Sequence, residues 1–175
     1  AFLDHLRARD ASPATLDAYR RDLAAFAAWY RETGGQEVNW RAVGPLDVAE
    51  FKRHLLNRGR RPATINRALA CLSSFFAWAV REGYLPDNPA KGVRTVPETR
   101  PAPRSLPRAD LLALLRAIRD RRRLSVRDEA IVTVLLHTGL RVAELCSLDL
   151  DDVVVNERSG HVRVVGKGGK HREVP

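Results

Sequence analysis

A proline-rich stretch near the middle of the chain constrains its fold more than any other feature of the sequence. Residues 86–107 contain six of the ten prolines and show almost no hydrophobic periodicity. Proline fixes φ and lacks a backbone donor, so such a stretch favours an extended connection over a helix or a central strand. We therefore predict two domains, at 1–88 and 106–175, joined by a linker at 89–105.

Before the linker, apolar residues recur at three- and four-residue steps, as on the buried face of an amphipathic helix. We predict a short helix over 1–10, followed by three longer ones that begin near Pro13, Pro45 and Pro62. Proline suits the first turn of a helix, where its missing donor costs nothing. Four such helices predict a compact helical domain.

After the linker the periodicity changes from helical to alternating. We predict a helix that carries Leu111 and Ile118, another from about Arg127 to His137 with Ile131, Val134 and Leu135 inside, and a short one from Arg141. Three β-prone runs separated by polar turns then predict an antiparallel meander: Val153–Val155, His161–Val165 and His171–Val174. The predicted fold class is mainly α with a small antiparallel β-sheet.

The charge of the chain indicates a polyanionic partner. The formal net charge is +9, and residues 51–100 alone carry ten Lys or Arg against three Asp or Glu. No stretch approaches the roughly 20 uninterrupted apolar residues of a membrane span, so no membrane partner is expected. Two cysteines without a CxxC pattern favour free thiols and a cytoplasmic location. A well-solvated basic protein remains the alternative explanation of the charge.

One face of the predicted fourth helix combines basic and short side chains at helical spacing. Arg can reach phosphates and Asn can reach base edges, so this face predicts contacts with nucleic acid. The alternative is a solvated helix surface. On the fourth helix the face comprises Arg60, Thr64, Arg67, Cys71 and Ser74, with Arg61 and Asn66 beside it; Arg20 and Arg21 on the second helix would add phosphate contacts.

Two local patterns could carry chemistry. In His137–Leu145, Arg141 begins a helix after a glycine turn, its guanidinium matches two phosphate oxygens, and Glu144 could orient it. A structural Arg–Glu pair explains the same spacing equally well. Lys167 lies in the glycine-rich turn Gly166–Lys170, although lysine is scarce in this chain. A lysine can lose a proton as arginine cannot, but a polar hairpin tip is the alternative.

Together these motifs resemble the tyrosine recombinase (phage integrase) family, and within it the Xer-like recombinases. Two motifs carry it, Thr138-Gly-Leu-Arg-Val-Ala-Glu-Leu145 and Gly166-Lys-Gly-Gly-Lys170. The helical stretch Ser12–Tyr30 and the run Asn66–Gly92 precede them in the family's order, so the resemblance spans nearly the whole chain. The resemblance implies a helical SAM-like core-binding domain that clamps DNA, followed by the beginning of an α+β catalytic domain.

The resemblance also implies roles for two residues. In the family a tyrosine attacks the scissile phosphate and forms a 3′-phosphotyrosyl bond. Arg141 matches the first of two arginines that hold the non-bridging oxygens, and Lys167 matches the lysine that protonates the leaving 5′ oxygen. No metal or other cofactor is needed, because the intermediate keeps the phosphodiester energy. The implied partners are double-stranded DNA and further protomers in a tetrameric synapse.

The sequence departs from the family pattern where the reaction would be completed. The later HxxR motif does not occur, and Tyr19, Tyr30 and Tyr84, the only tyrosines, lie in the helical domain. A β-strand at the last residues adds to the expectation that the chain is a fragment truncated before this motif and the nucleophilic tyrosine. We therefore expect it to bind DNA without cleaving it.

Two other classes of protein remain open from the sequence. A non-catalytic DNA-binding factor could use the same core-binding domain, and an HxxR motif and tyrosine in the parent gene would exclude it. A metal-dependent nuclease could use Asp149, Asp151 and Asp152. These carboxylates fit a polar turn before a strand better, and a nuclease would lose activity in a chelator.

Overall fold

A computed structural model describes residues 1–99, 102, 105–120, 126–157, 159–166 and 169–175. The chain divides into two compact units, Ala1–Pro101 and Ala102–Pro175. The division falls inside the segment 89–105 that the proline-rich stretch marks as a linker. The mainly α fold class with a small antiparallel sheet is confirmed.

The first unit contains the four predicted helices: α1 (Phe2–Arg7), α2 (Pro13–Gly34), α3 (Pro45–Asn57) and α4 (Pro62–Arg81). Each of the three long helices has proline in its first turn, as expected. The Ser12 hydroxyl accepts a hydrogen bond from the backbone N–H of Thr15 and caps α2. Gly35 ends α2 with φ at +66°, a conformation that glycine adopts without strain.

The core of the first unit is built around α4. This helix buries seven side chains, and α2 and α3 both pack on it. Phe26 from α2 and Phe51 from α3 contact edge to face, with ring centroids 5.1 Å apart. The buried cluster is large and rich in aromatic rings: Phe26, Trp29, Val43, Val48, Phe51, Ile65, Ala68, Leu69, Leu72, Phe76 and Ala90.

The helix α4 also reaches the length and mean hydropathy of a membrane-crossing helix, the one helix to do so in the described part of the chain. Its apolar side chains include Ile65, Leu72 and Phe76, which are fully buried between α2 and α3. Packing in the core of the helical unit therefore accounts for its composition.

The segment 88–96, which includes the first part of the predicted linker at 89–105, is fixed to the helices. The Asn88 amide donates to the carbonyl of Ser73, and Lys52 Nζ donates to the carbonyl of Arg94, at 3.0 and 2.7 Å. Ala90 is buried in the core. Residues 88–96 thus belong to the first unit: a side chain of α3 donates to the backbone of the segment, and the Asn88 side chain donates to the backbone of α4.

The second unit follows the predicted order of helices and strands. Its described part contains α5 (Arg108–Asp120), α6 (Val126–Thr138), α7 (Val142–Cys146), a 3-10 turn (Leu150–Asp152), β1 (Val153–Val155), β2 (Gly160–Val165) and β3 (His171–Val174). The strands form an antiparallel sheet in the order β1-β2-β3, as the alternating runs predict. In the register, Val153 pairs with Val162 and Val164 pairs with Arg172.

The described core of the second unit is small. Leu140, Val162 and Val164 are buried, with Val134 and Leu135 of α6 packed against them. The prediction that Ile131 lies inside is wrong, because its side chain is 37% exposed. The helix α6 is apolar on more than one face, so spacing alone did not separate the residues that contact the sheet from those that do not.

Candidate phosphate and nucleic-acid sites

The predicted pairing of Arg141 with Glu144 is present at the start of α7. The Glu144 carboxylate accepts one hydrogen bond from the backbone N–H of Arg141 at 2.9 Å and another from Arg141 Nη1 at 2.8 Å. The side chain of Glu144 is 7% exposed, whereas that of Arg141 is 75% exposed. The carboxylate therefore anchors a guanidinium whose remaining donors face solvent, so the pair can be structural and still bind an anion.

A second arginine, which the sequence reasoning missed, completes this site. Arg172 of β3 donates from Nη1 to Oε1 of Glu144 at 2.9 Å and from Nη2 to Oε2 at 2.8 Å. These hydrogen bonds, with that from the Arg141 backbone, lower the pKa of Glu144 to about 2. A signal existed in the sequence: Arg172 and Val174 are two residues apart in the predicted third strand and so face the same side, and a charged residue beside an apolar one on the inner face requires a partner.

The first turn of α7 and the end of β2 together line a cavity of about 410 Å³, formed by Arg141, Ala143, Glu144, Ser147, Val165 and Gly166. Gly166 is the residue that precedes Lys167 in the sequence. Lys167 itself lies outside the described residues, so its predicted role stays a prediction. The cavity nevertheless brings the beginning of the glycine-rich turn to the site of Arg141.

In the helical unit, Arg67 forms an ion pair that links two helices. Its Nη1 donates to Oδ2 of Asp22 on α2 at 2.6 Å. Asp22 is 9% exposed and Arg67 is 44% exposed, so the acid is buried while much of the guanidinium reaches the surface. Burial raises the pKa of Asp22 despite the adjacent Arg67. The buried Asp22 thus holds one side of the Arg67 guanidinium, and the other N–H donors of that guanidinium remain available to a ligand.

The predicted face of α4 is less uniform than its spacing suggested. Cys71 is fully buried, its thiol donates to the carbonyl of Tyr19, and burial raises its pKa to about 12. Cys71 therefore belongs to the packing between α2 and α4, not to an exposed face. Asn66 exchanges two hydrogen bonds with the backbone of Val96, at 2.9 and 2.8 Å, and Thr64 is half-buried.

The other predicted contact residues are exposed arginines. Arg20 forms an ion pair with Asp17 at 2.7 Å, and Arg21 Nε donates to the carbonyl of Asp17. The charge of Arg21 also acts on Asp22, so Arg21 and Arg67 share one acidic neighbour. Arg60 and Arg61, at the start of α4, form no ion pair with any residue that the structure describes.

Neither the tyrosines nor the aspartates form a second reactive cluster. Tyr19 and Tyr30 are half-buried among aromatic rings, and Tyr84 packs on Trp78; all three belong to the first unit. Asp152 accepts a hydrogen bond from the backbone of Asp149, as in a polar turn. Among the described residues, no group of three or more His, Cys, Asp or Glu side chains could hold a metal ion.

Two family models match this chain, one for each unit. The phage integrase N-terminal SAM-like domain matches residues 1–83, and the phage integrase family matches residues 104–175. Tyrosine recombinase XerC of Rhodospirillum centenum is 39% identical over 181 residues, which cover 99% of this chain and 52% of the relative. XerC of Xanthomonas campestris is 36% identical over 178 residues, or 99% and 53%. The chain thus spans about half the length of these relatives.

Solved structures show the same fold at lower identity. A lambda integrase dimer bound to a COC′ core site has a TM-score of 0.73 at 20% identity, and covers 99% of this chain and 60% of that one. The XerH recombinase bound to a difH substrate has a TM-score of 0.70 at 21% identity, with coverages of 98% and 51%. With both family models and the XerC relatives in agreement, the chain belongs to the phage integrase family of tyrosine recombinases.

Proposed function

We propose that this chain is the DNA-binding portion of a site-specific tyrosine recombinase, which cuts and rejoins DNA through a 3′-phosphotyrosyl intermediate. The observation that carries the proposal is the exposed Arg141 guanidinium, anchored by buried Glu144 in the cavity that Gly166 also lines. A fixed cation with free donors stabilises the charge that develops on a phosphate in the transition state. This activity belongs to the whole protein. DNA integration and chromosome dimer resolution are two reactions of this kind.

The helical unit would grip the double helix through its arginines. Arg20, Arg21, Arg60, Arg61 and Arg67 are exposed on α2 and at the start of α4. Guanidinium contacts to phosphate give affinity and position, and shorter side chains such as Thr64 let the backbone of DNA approach closely. For Asn66, whose amide holds Val96, a contact with DNA would use its remaining N–H. Double-stranded DNA is the proposed partner, with other protomers in the active assembly.

In the proposed reaction, a tyrosine oxygen attacks the phosphorus, the bond from phosphorus to the 5′ oxygen breaks, and Lys167 donates a proton to that oxygen. Arg141 holds a non-bridging oxygen throughout. No tyrosine of this chain lies in the unit that contains Arg141. We therefore infer that the chain alone binds DNA but does not cleave it. The proposed location is the cytoplasm, since Cys71 and Cys146 are unpaired.

A gel-shift assay with a suicide substrate tests both parts of the proposal. The chain is mixed with a nicked duplex that would trap a covalent intermediate, and the products are compared before and after denaturation. We expect a shifted complex that competitor duplex removes and that denaturation abolishes completely. A band that survives denaturation would show cleavage and contradict the second part. Absence of any shift at low salt would contradict the first.

A further inference from the structure

We propose that Arg172 is a positioning residue, which acts through the Glu144 carboxylate to hold Arg141 in place and to keep its positive charge available to a phosphate. The inference rests on the function proposed above. It deepens that function by giving a role to a residue of β3 that is not itself proposed to contact the substrate.

The hydrogen bonds of Glu144 support a positioning role. Oε1 accepts from Nη1 of Arg141 and Nη1 of Arg172, while Oε2 accepts from the Arg141 backbone and Nη2 of Arg172. Arg172 therefore supplies half of the donors and engages both oxygens at once. Such a fork fixes the orientation of the carboxylate plane, which the single nitrogen of a lysine cannot do.

The same contacts connect two parts of the second unit. Arg172 is 28 residues from Glu144 in the sequence, so its guanidinium ties the sheet to the first turn of α7. Arg141 is anchored to the same carboxylate through both its backbone and its side chain. Loss of Arg172 would leave the carboxylate held by Arg141 alone, so that the two side chains could shift together relative to the sheet.

Charge gives Arg172 a second role. Two guanidinium groups surround one carboxylate within hydrogen-bond distance, so the cluster carries a net positive charge. Without Arg172, Glu144 and Arg141 would form a neutral pair, and the attraction of Arg141 for a phosphate would fall. Arg172 thus offsets the acid that anchors Arg141.

Gly166 leaves the space that Arg172 needs. A Cβ at this position would lie 3.2 Å from Nη1 of Arg172 and 4.0 Å from Oε1 of Glu144. Gly166 also donates a hydrogen bond to the carbonyl of Lys170 at 2.7 Å, which closes the β2–β3 turn. The side chain of Arg172 therefore passes directly beneath the start of the glycine-rich turn on its way to α7.

NMR of the full 175-residue chain tests the positioning role without DNA. Arg172→Lys keeps the charge but removes the fork, Arg172→Ala removes both, and Gly166→Ala displaces the guanidinium slightly. Arg163→Lys is the matched control, because Arg163 is on β2 and donates to the carbonyl of Asp151 instead. We expect the Arg141 amide resonance to move most in Arg172→Ala, less in Arg172→Lys and least in Gly166→Ala, with the control unchanged. The proposal is overturned if the Arg141 amide resonance in Arg172→Lys and Gly166→Ala is the same as in the control. These two variants decide the matter even if Arg172→Ala fails to fold.

Binding to a double-stranded oligonucleotide tests the charge role by a double-mutant cycle. Arg141→Ala should weaken binding about tenfold in the wild-type background, as expected for one charge-assisted contact. In the Arg172→Ala background it should change binding less than about twofold, because Glu144 already neutralises Arg141. Equal effects in both backgrounds would overturn this role. A chain that binds no duplex contradicts the proposed function, and the NMR comparison then still decides whether Arg172 positions Arg141.

Discussion

Each of the two units buries one carboxylate against arginine, and burial acts to raise the pKa of both acids, but the net pKa shifts are opposite. Among the residues that the structure describes, Asp22 and Glu144 are the buried charged side chains. Burial raises the pKa of Asp22, whereas hydrogen bonds from Arg172 and Arg141 lower the pKa of Glu144 to about 2. Asp22 accepts one strong hydrogen bond from an arginine and Glu144 accepts four.

The number of hydrogen-bond donors around a buried acid, more than the presence of an arginine, thus decides the direction in which its pKa shifts. A single pair only partly offsets the loss of water around Asp22. The full set of donors around Glu144 replaces its hydration and stabilises the charged form. This difference suits the proposed roles, since a permanently charged Glu144 can anchor Arg141, while Asp22 lies beneath an arginine that is already half exposed.

The largest expected difference between the units lies in their cores. Phe26→Ala removes a fully buried ring from the large aromatic cluster and should destabilise the first unit by about 3–5 kcal/mol. Val164→Ala in the small cluster should cost the second unit about 1–3 kcal/mol. Urea unfolding followed by tryptophan fluorescence reports the first unit, because Trp29, Trp40 and Trp78 all belong to it, and amide hydrogen exchange of β2 reports the second. An effect of Phe26→Ala below that of Val164→Ala would break the comparison.

The response to acid should separate the units further. Because the folded-state pKa of Glu144 is lowered, its contribution to stability is present above its ordinary pKa of 4.5 and is lost as the pH falls towards about 2. The raised pKa of Asp22 has the opposite effect on stability, because protonation of Asp22 at low pH favours the folded state of the first unit. Amide hydrogen exchange of β2 and α4 between these pH values measures both. Loss of α4 protection before that of β2 would contradict the assignment.

The smallest effect is expected for Asp22→Asn. The amide oxygen can still accept from Arg67, and no charge has to be buried, so the two changes nearly cancel. We expect the free energy of unfolding of the first unit to change by less than about 1 kcal/mol. Thermal unfolding compares the stability of Asp22→Asn with that of the control Asp17→Asn, since Asp17 forms an exposed ion pair with Arg20. A loss much larger than in the control would show that the Asp22–Arg67 ion pair stabilises the fold strongly.

The sequence predicted the elements well and the long-range contacts poorly. Prolines at the helix starts and the alternation of Val162 and Val164 are local signals, and these elements formed as expected. The contacts of Arg172 with Glu144 and of Arg67 with Asp22 join residues 28 and 45 positions apart. Spacing along one helix cannot show which residues a second helix covers.

For the same reason, Cys71 was assigned to an exposed face although α2 buries it. The spacing of Arg141 and Glu144 was the exception, because a pair three residues apart on a helix turn is itself a local signal. The sequence also revealed the exposed arginines, but not how buried acids hold two of them.

The salt dependence of duplex binding tests the central claim, that this chain holds DNA through its phosphates, most directly. Fluorescence anisotropy gives Kd for a labelled duplex over a range of salt concentrations, with Arg67→Ala and, as control on α2, Arg31→Ala, which is paired with Glu37. We predict a steep linear rise of log Kd with log salt, whose slope falls by about one for Arg67→Ala and is unchanged for the control. Binding that is independent of salt, or no binding at low salt, would contradict the account.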